Sequence, residues 1–261
     1  MKVWRIALMG LVALLLAVFV LLWFLPARWA MPWLESRLNG AQLQDVSGLL
    51  WDGKAGKLLS AKGENLGELQ WQLSRAALLG DNRLHVELHG PRVDFAGNMT
   101  GKQAAEATWT DVQMRVDLDV LGTGPMVLGG WPRGTLRATA AHLQLRGGWP
   151  GSLDAHVQWQ AAALRTVALG ELPLGDLRAE LQAVNGVIEG HVQDDGNGPL
   201  RVDGRLQLSP LARRFTAVTA PRGQHPELQR WLAAFGTTDA DGVTHINYSG
   251  GLAAALRGEK R

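Results

Sequence analysis

Between Val112 and Val120 the chain alternates without a miss. Val112, Met114, Val116, Leu118 and Val120 are apolar, and Gln113, Arg115, Asp117 and Asp119 between them are polar. Successive side chains of a β-strand point to opposite faces, so period two predicts a strand with one dry face and one wet face. The pattern returns along the chain. Leu84, Val86 and Leu88 alternate with His85, Glu87 and His89, and Leu153, Ala155, Val157 and Trp159 with Asp154, His156 and Gln158. Leu177, Ala179 and Leu181 follow it, as do Val202, Gly204, Leu206 and Leu208. Strands with one polar face belong to antiparallel sheets, whereas parallel strands are buried on both faces. Glycine breaks the runs: 32 of 261 residues, about one in eight where about 7% is usual.

A local repeat points the same way. Gly129-Gly130-Trp131-Pro132, a turn followed by an alternating run to Ala138, returns eighteen residues later as Gly147-Gly148-Trp149-Pro150 and runs to Ala155. Fainter echoes stand at Gly175-Asp176-Leu177 and Pro199-Leu200-Arg201. Turn-and-strand units in series build an extended sheet one strand at a time. The expected fold is mainly β: a curved, mostly antiparallel sheet, an open groove or half-barrel, with few short helices. One helix is expected at Pro226–Phe235, where Leu228, Trp231, Leu232 and Phe235 fall at i, i+3, i+4 and i+7 and Pro226 suits the first turn. Asp239 to Gly242 reads as a turn into a last strand, Val243–Tyr248.

The N-terminus is different. From Ile6 to Leu25, 19 of 20 residues are apolar, with Gly10 the exception. Twenty helical residues at 1.5 Å each reach about 30 Å, the thickness of a bilayer's hydrocarbon core. A cleaved signal has a shorter apolar core and an Ala-x-Ala-like site; here Pro26-Ala27-Arg28-Trp29-Ala30 follows. An uncleaved single span is expected. Lys2 and Arg5 favour a cytoplasmic N-terminus, and Trp23, Trp29 and Trp33 suit the far interface. The expected organisation is a cytoplasmic tail at 1–5, a span at 6–25, an interfacial connector at 26–40 with a short helix near Arg28–Leu38, and a periplasmic β-rich domain at 41–261. No second run is long enough to span, so a polytopic membrane protein is excluded. Twenty-six basic against 24 acidic residues, without a basic cluster, exclude nucleic acid as an expected partner. The absence of cysteine removes disulfides and thiolate metal sites.

Chemistry-bearing constellations are sparse. His85, Glu87 and His89 share one strand face, a set that can ligate a divalent metal; the simpler reading is the wet face of an amphipathic strand. Asp194-Asp195-Gly196-Asn197-Gly198 and Asp239-x-Asp241-Gly242 carry calcium-type residues but lack EF-hand spacing and read as turns. Asp117 and Asp119 share a face without any mark of burial. Trp51, Trp71, Trp109 and Trp159 occupy strand positions and are expected in the core. No catalytic, cofactor-binding or metal-binding residue is put forward, and an enzyme is the least favoured class.

The N-terminal third carries a more specific pattern. Val46-Ser47-Gly48-Leu49-Leu50-Trp51-Asp52-Gly53-Lys54-Ala55 is followed by Leu66-Gly67-Glu68-Leu69-Gln70-Trp71-Gln72-Leu73 and Leu78-Leu79-Gly80. This element resembles the type II secretion system protein N family (GspN). Leu232, Phe235-Gly236, Asp241-Gly242 and Tyr248-x-Gly250-x-Leu252 look similar as well. The resemblance implies a non-enzymatic inner-membrane protein of the bacterial type II secretion machinery, whose periplasmic domain contacts the inner-membrane platform or the secretin. The amphipathic strands behind an anchor also resemble AsmA-like, bridge-type lipid-transfer proteins, which implies a lipid-binding β-groove as the alternative.

Overall fold

A computed structural model describes Leu14 and residues 19–35, 40–121 and 129–251. The chain divides into two compact units, Met1–Pro91 and Arg92–Arg261.

In the first unit, helix α1 (Ala27–Glu35) precedes four strands, β1 (Gln42–Gly48), β2 (Asp52–Leu59), β3 (Asn65–Leu73) and β4 (Arg83–His89). They pair antiparallel in chain order. Register does the sorting. Val46, Ala55, Leu69 and Leu88 face one another across the four strands, while Lys54, Gln70 and Glu87 form a row on the other side. α1 lays Met31 on Leu43 and Ala55, with Val46, Leu58, Leu69 and Trp71 packed around them. A capped 3-10 helix, Arg75–Leu79, joins β3 to β4.

The second unit holds β5 (Val93–Thr100), β6 (Thr108–Asp117), β7 (Trp131–Arg146), β8 (Trp149–Thr166), β9 (Gly170–Val184), β10 (Val187–Asp194), β11 (Leu200–Leu208), β12 (Ala212–Pro221), helix α2 (Pro226–Ala233), β13 (Gly236–Thr238) and β14 (Thr244–Gly251). Strands β5 to β12 pair in sequence order; β14 then joins β12, and β13 lies outside β14. Every pairing is antiparallel. The sheet is open. The two Gly-Gly-Trp-Pro units open its longest strands, β7 and β8, of 16 and 18 residues. Gly147 and Gly148 both hold positive φ, 60° and 79°, the two-residue turn whose twist matches a hairpin.

The core of this unit joins Ala162 and Leu164 of β8, Leu172 and Leu174 of β9, Leu200 and Val202 of β11, Ala217 of β12, and Leu228, Trp231 and Leu232 of α2. α2 presents the residues its spacing predicts. Strands β8 and β9 reach this core by changing parity. The apolar residues of β8 sit at odd positions up to Trp159, then at even positions from Ala162, after a register shift at Ala161, whose φ is +47°. β9 shifts between Pro173 and Gly175, moving from Leu172 and Leu174 to Leu177 and Ala179. A bulge adds one residue and turns the following side chains to the opposite face. Here each bulge restores the apolar residues to the same face.

Several expectations are corrected at their ends. The strand expected to run to Val120 stops at Asp117, because the Asp117 carboxylate accepts the Asp119 N–H at 3.0 Å and turns the chain into a 3-10 segment, Leu118–Leu121. The connector helix begins at Ala27 and is described to Glu35, its expected end at Leu38 lying outside the described residues, and the C-terminal helix ends at Ala233 rather than Phe235. The last strand extends past Tyr248 to Gly251. The expected span at 6–25 falls mostly outside the described residues. Within it Leu14 and residues 19–23 are helical, and among the described residues no helix is long and apolar enough to cross a membrane. The span therefore rests on the sequence. The Trp33 side chain also lies outside the described residues.

Candidate interaction surfaces

Across the second unit the register aligns apolar side chains into rows. One row runs Met114, Ala138, Val157, Ala179, Val192, Gly204, Ala217 and Ile246, from β6 to β14. A second runs Val112, Ala140, Ala155, Leu181, Gly190, Leu206, Phe215 and Tyr248. Eight strands at about 4.8 Å spacing make each row about 34 Å long. α2 packs at one end of this face, on Leu164, Leu172 and Leu174. Val112, Met114, Val157, Ala179 and Leu181 are only half buried.

The opposite face is the mirror in polarity. His156, Glu180, His191, Arg205, Thr216 and Asn247 form one row. A shallow polar depression of about 560 Å³ is lined there by Glu180, Glu189, His191, Arg205, Gln207 and Arg214, among others. His191 is engaged with Asp203 at 2.8 Å.

The sequence's titratable candidates are occupied by local partners. Glu87 lies between His85 and His89, 2.9 and 3.3 Å from their Nε2 atoms. Those imidazoles, His85 first, hold the Glu87 carboxyl below the usual carboxylate range. Asp194 is more enclosed, with its side chain 7% exposed. Burial pushes its carboxyl up. The Val202 N–H at 2.7 Å, the Arg222 guanidinium at 2.6 Å and the Gly196 N–H at 2.8 Å outweigh that and hold it below its ordinary value. Its oxygens therefore face hydrogen-bond donors. Asp195 accepts the Asn197 backbone and side-chain N–H groups, which lower its carboxyl. Asp239 accepts the Asp241 and Val243 N–H groups in a turn. Asp119 pairs with Arg133 at 2.9 Å, so Asp117 and Asp119 serve a strand end rather than a shared site. Among the described residues no group of three or more His, Asp or Glu is placed to hold a metal ion.

The tryptophans act as pins, which sequence reasoning missed. Each of three indole N–H groups donates to a backbone carbonyl on a neighbouring segment: Trp71 to Leu50 at 3.0 Å, Trp149 to Gly186 at 2.8 Å and Trp159 to Arg133 at 2.7 Å. Trp109 meets Phe95 edge-on at 5.8 Å. Trp51 is buried, and its N–H donates to the Leu22 carbonyl at 2.9 Å. Gly53, two residues on, has no room for a side chain: a Cβ there would fall inside contact distance of the Trp71 ring and 2.8 Å from the Leu49 carbonyl. The Gly-x-x-Trp-x-Gly spacing is thus a packing requirement of the β1–β2 hairpin.

By fold the chain is an open antiparallel sheet protein with one apolar and one polar face, reached by an apolar N-terminal segment. It belongs to the type II secretion system protein N family, whose model matches residues 39–247. It is 26% identical over 239 residues to type II secretion system protein N of Aeromonas hydrophila, covering 87% of this chain and 90% of that one. No solved structure matches. Family membership supports a type II secretion component and a cell-envelope location.

Proposed function

We propose that the chain is a non-enzymatic, inner-membrane-anchored component of the type II secretion system that aids export of folded proteins. Residues 6–25 span the membrane with the N-terminus cytoplasmic. The β-rich part from 41 to 261 lies in the periplasm and engages the inner-membrane platform or the secretin. The supporting observation is the family match over 39–247 on a chain whose described surfaces are sheet faces and a sheet edge. β13 covers only Thr244–Ile246 of β14, and a partly covered edge is a site for strand addition. The test is deletion and complementation, following export of a folded exoprotein and assembly of the apparatus. Unchanged secretion and assembly refute the proposal.

A second reading has its own observation. The half-buried apolar rows of β6–β14 suit acyl chains, since exposed apolar surface of this extent marks a binding site. Mass spectrometry of lipid co-purifying with the protein tests it. A lipid-free preparation with the rows intact counts against it.

A further inference from the structure

The apolar N-terminal segment does not lead into the first sheet through a free linker. Its end is bonded to that sheet at four places. The Trp51 indole N–H donates to the Leu22 carbonyl at 2.9 Å, and the Leu50 N–H to the Leu25 carbonyl at 2.9 Å. Pro26 forms an isolated bridge with Leu49. The Arg75 guanidinium lies over the Trp23 ring, 4.5 Å from its centroid. The first three contacts use the β1–β2 turn and the fourth uses the β3–β4 connection. In an antiparallel meander those two connections lie at the same end of the sheet, and the β2–β3 turn near Lys62 lies at the other. The nine residues of β3 separate the ends by about 30 Å.

At the end held against the apolar segment, the 3-10 helix Arg75–Leu79 displays Leu78 and Leu79, 47% and 91% exposed. They do not sit on a loose loop. Ser74 Oγ accepts the Ala76 N–H at 3.2 Å, Gly80 closes the helix in the left-handed region at φ 91°, and the Asp81 N–H returns to the Ala76 carbonyl at 3.0 Å. A capped turn that holds out two leucines in water leaves apolar surface uncompensated. Phe24 at the end of the segment and Trp29 just after it, 60% and 62% exposed, extend this apolar character along the chain. Arg28 and Arg75 supply positive charge beside it.

We propose that the Arg75–Leu79 helix is a second membrane contact, in which Leu78 and Leu79 enter the bilayer interface beside the N-terminal span and Arg75 lies at anionic headgroups. This rests on the reading of 6–25 as a span. The occupant is lipid rather than another protein because the leucines are fixed to the end of a 20-residue apolar run sized for a bilayer. The first sheet is thereby held by two points and stands in a set orientation to the membrane.

The chain has no cysteine, so single labels are clean. Full-length L79C, K62C and L14C are labelled with an environment-sensitive nitrobenzoxadiazole dye. Each is reconstituted in vesicles of phosphatidylethanolamine and phosphatidylglycerol, with and without nitroxide-bearing lipid. The expected result is blue-shifted emission and nitroxide quenching at 79 and at 14, with water-like emission and no quenching at 62. Quenching at 14 with water-like emission at 79 overturns the second contact and leaves the span intact. Water-like emission at 14 refutes the span, and the second contact falls with it. Quenching at 62 as strong as at 79 also overturns the proposal, because it places both ends of the sheet at lipid.

Discussion

Replacing Asp194 with asparagine isolates one carboxylate by a change of a single atom. Three donors converge on it: the Val202 N–H on Oδ1, and the Gly196 N–H and the Arg222 guanidinium on Oδ2. An asparagine offers one oxygen and one NH2 group. Turned to keep Gly196 and Arg222, its NH2 faces the Val202 N–H, and a donor left without an acceptor costs about 1–3 kcal/mol. Arg222 also loses its counter-charge. It retains the Gly198 and Leu200 carbonyls at 3.1 and 3.0 Å and is a third exposed, so this adds less than the 3–5 kcal/mol of a fully buried broken pair. The expected total is about 2–3 kcal/mol at pH 7, read from the denaturant midpoint of the full chain in detergent at unchanged slope. The pH dependence supplies a second reading. A carboxyl whose folded pKa is depressed contributes stability that is present above its unfolded value, about 3.9, and lost as pH falls through the folded value. The gap between the native protein and D194N is therefore constant near neutrality and closes in that acidic window. A gap below about 0.5 kcal/mol at pH 7, or one that widens on acidification, refutes the reasoning.

Leu164→Ala, at a fully buried position beneath α2, is expected to cost about 2–5 kcal/mol in the same assay; a loss under 1 kcal/mol shows that α2 does not seal that core. Gly53→Val sets a Cβ against the Trp71 ring and the Leu49 carbonyl and adds two methyl groups to it. It is expected to cost about 1–3 kcal/mol or more, with a changed tryptophan emission. A stability equal to the native protein's refutes the packing account of the Gly-x-x-Trp-x-Gly spacing. Carbon-detected NMR titration is expected to show Glu87 moving up toward the ordinary carboxylate range in H85Q/H89Q, because the two imidazoles depress it; an unmoved titration refutes that cause.

Much of the sheet is legible in the residues, and the failures have a common form. Period two finds β6, and it works wherever a strand keeps parity from end to end. It breaks at Ala161 and at Pro173–Gly175, where a bulge changes which positions face inward. Ala162, Leu164, Leu172 and Leu174, the centre of the larger core, consequently escape a reading that begins at Leu153 and Leu177. Leu118 and Val120 continue the alternation on paper, but the Asp117 side chain intervenes and ends the strand. β13 is three residues long, too short to show any period, so its place outside β14 is invisible. The titratable clusters are visible in the sequence but their partners are not: the Val202 N–H and then Arg222, 8 and 28 residues after Asp194, are the distant donors that hold that carboxylate down. Of the tryptophans expected in the core, Trp51 is buried, Trp71 and Trp159 pack half-buried against the two cores, and Trp109 is half-buried against Phe95; the carbonyls that the indoles pin depend on tertiary placement.

The order of the strands carries a consequence for how the chain is made. From β1 to β4, and again from β5 to β12, each strand pairs with the one synthesised just before it. A polypeptide synthesised from its N-terminus can add each hairpin as it appears, without waiting for a distant partner, which keeps contact order low. Only the last step departs from this sequence. β14 must pass β13 to reach β12, and it brings α2 down over the core. The C-terminal segment is thus the closing latch of a vectorial assembly, and truncations there are expected to leave a long, nearly complete sheet whose apolar end stays open to proteases and chaperones.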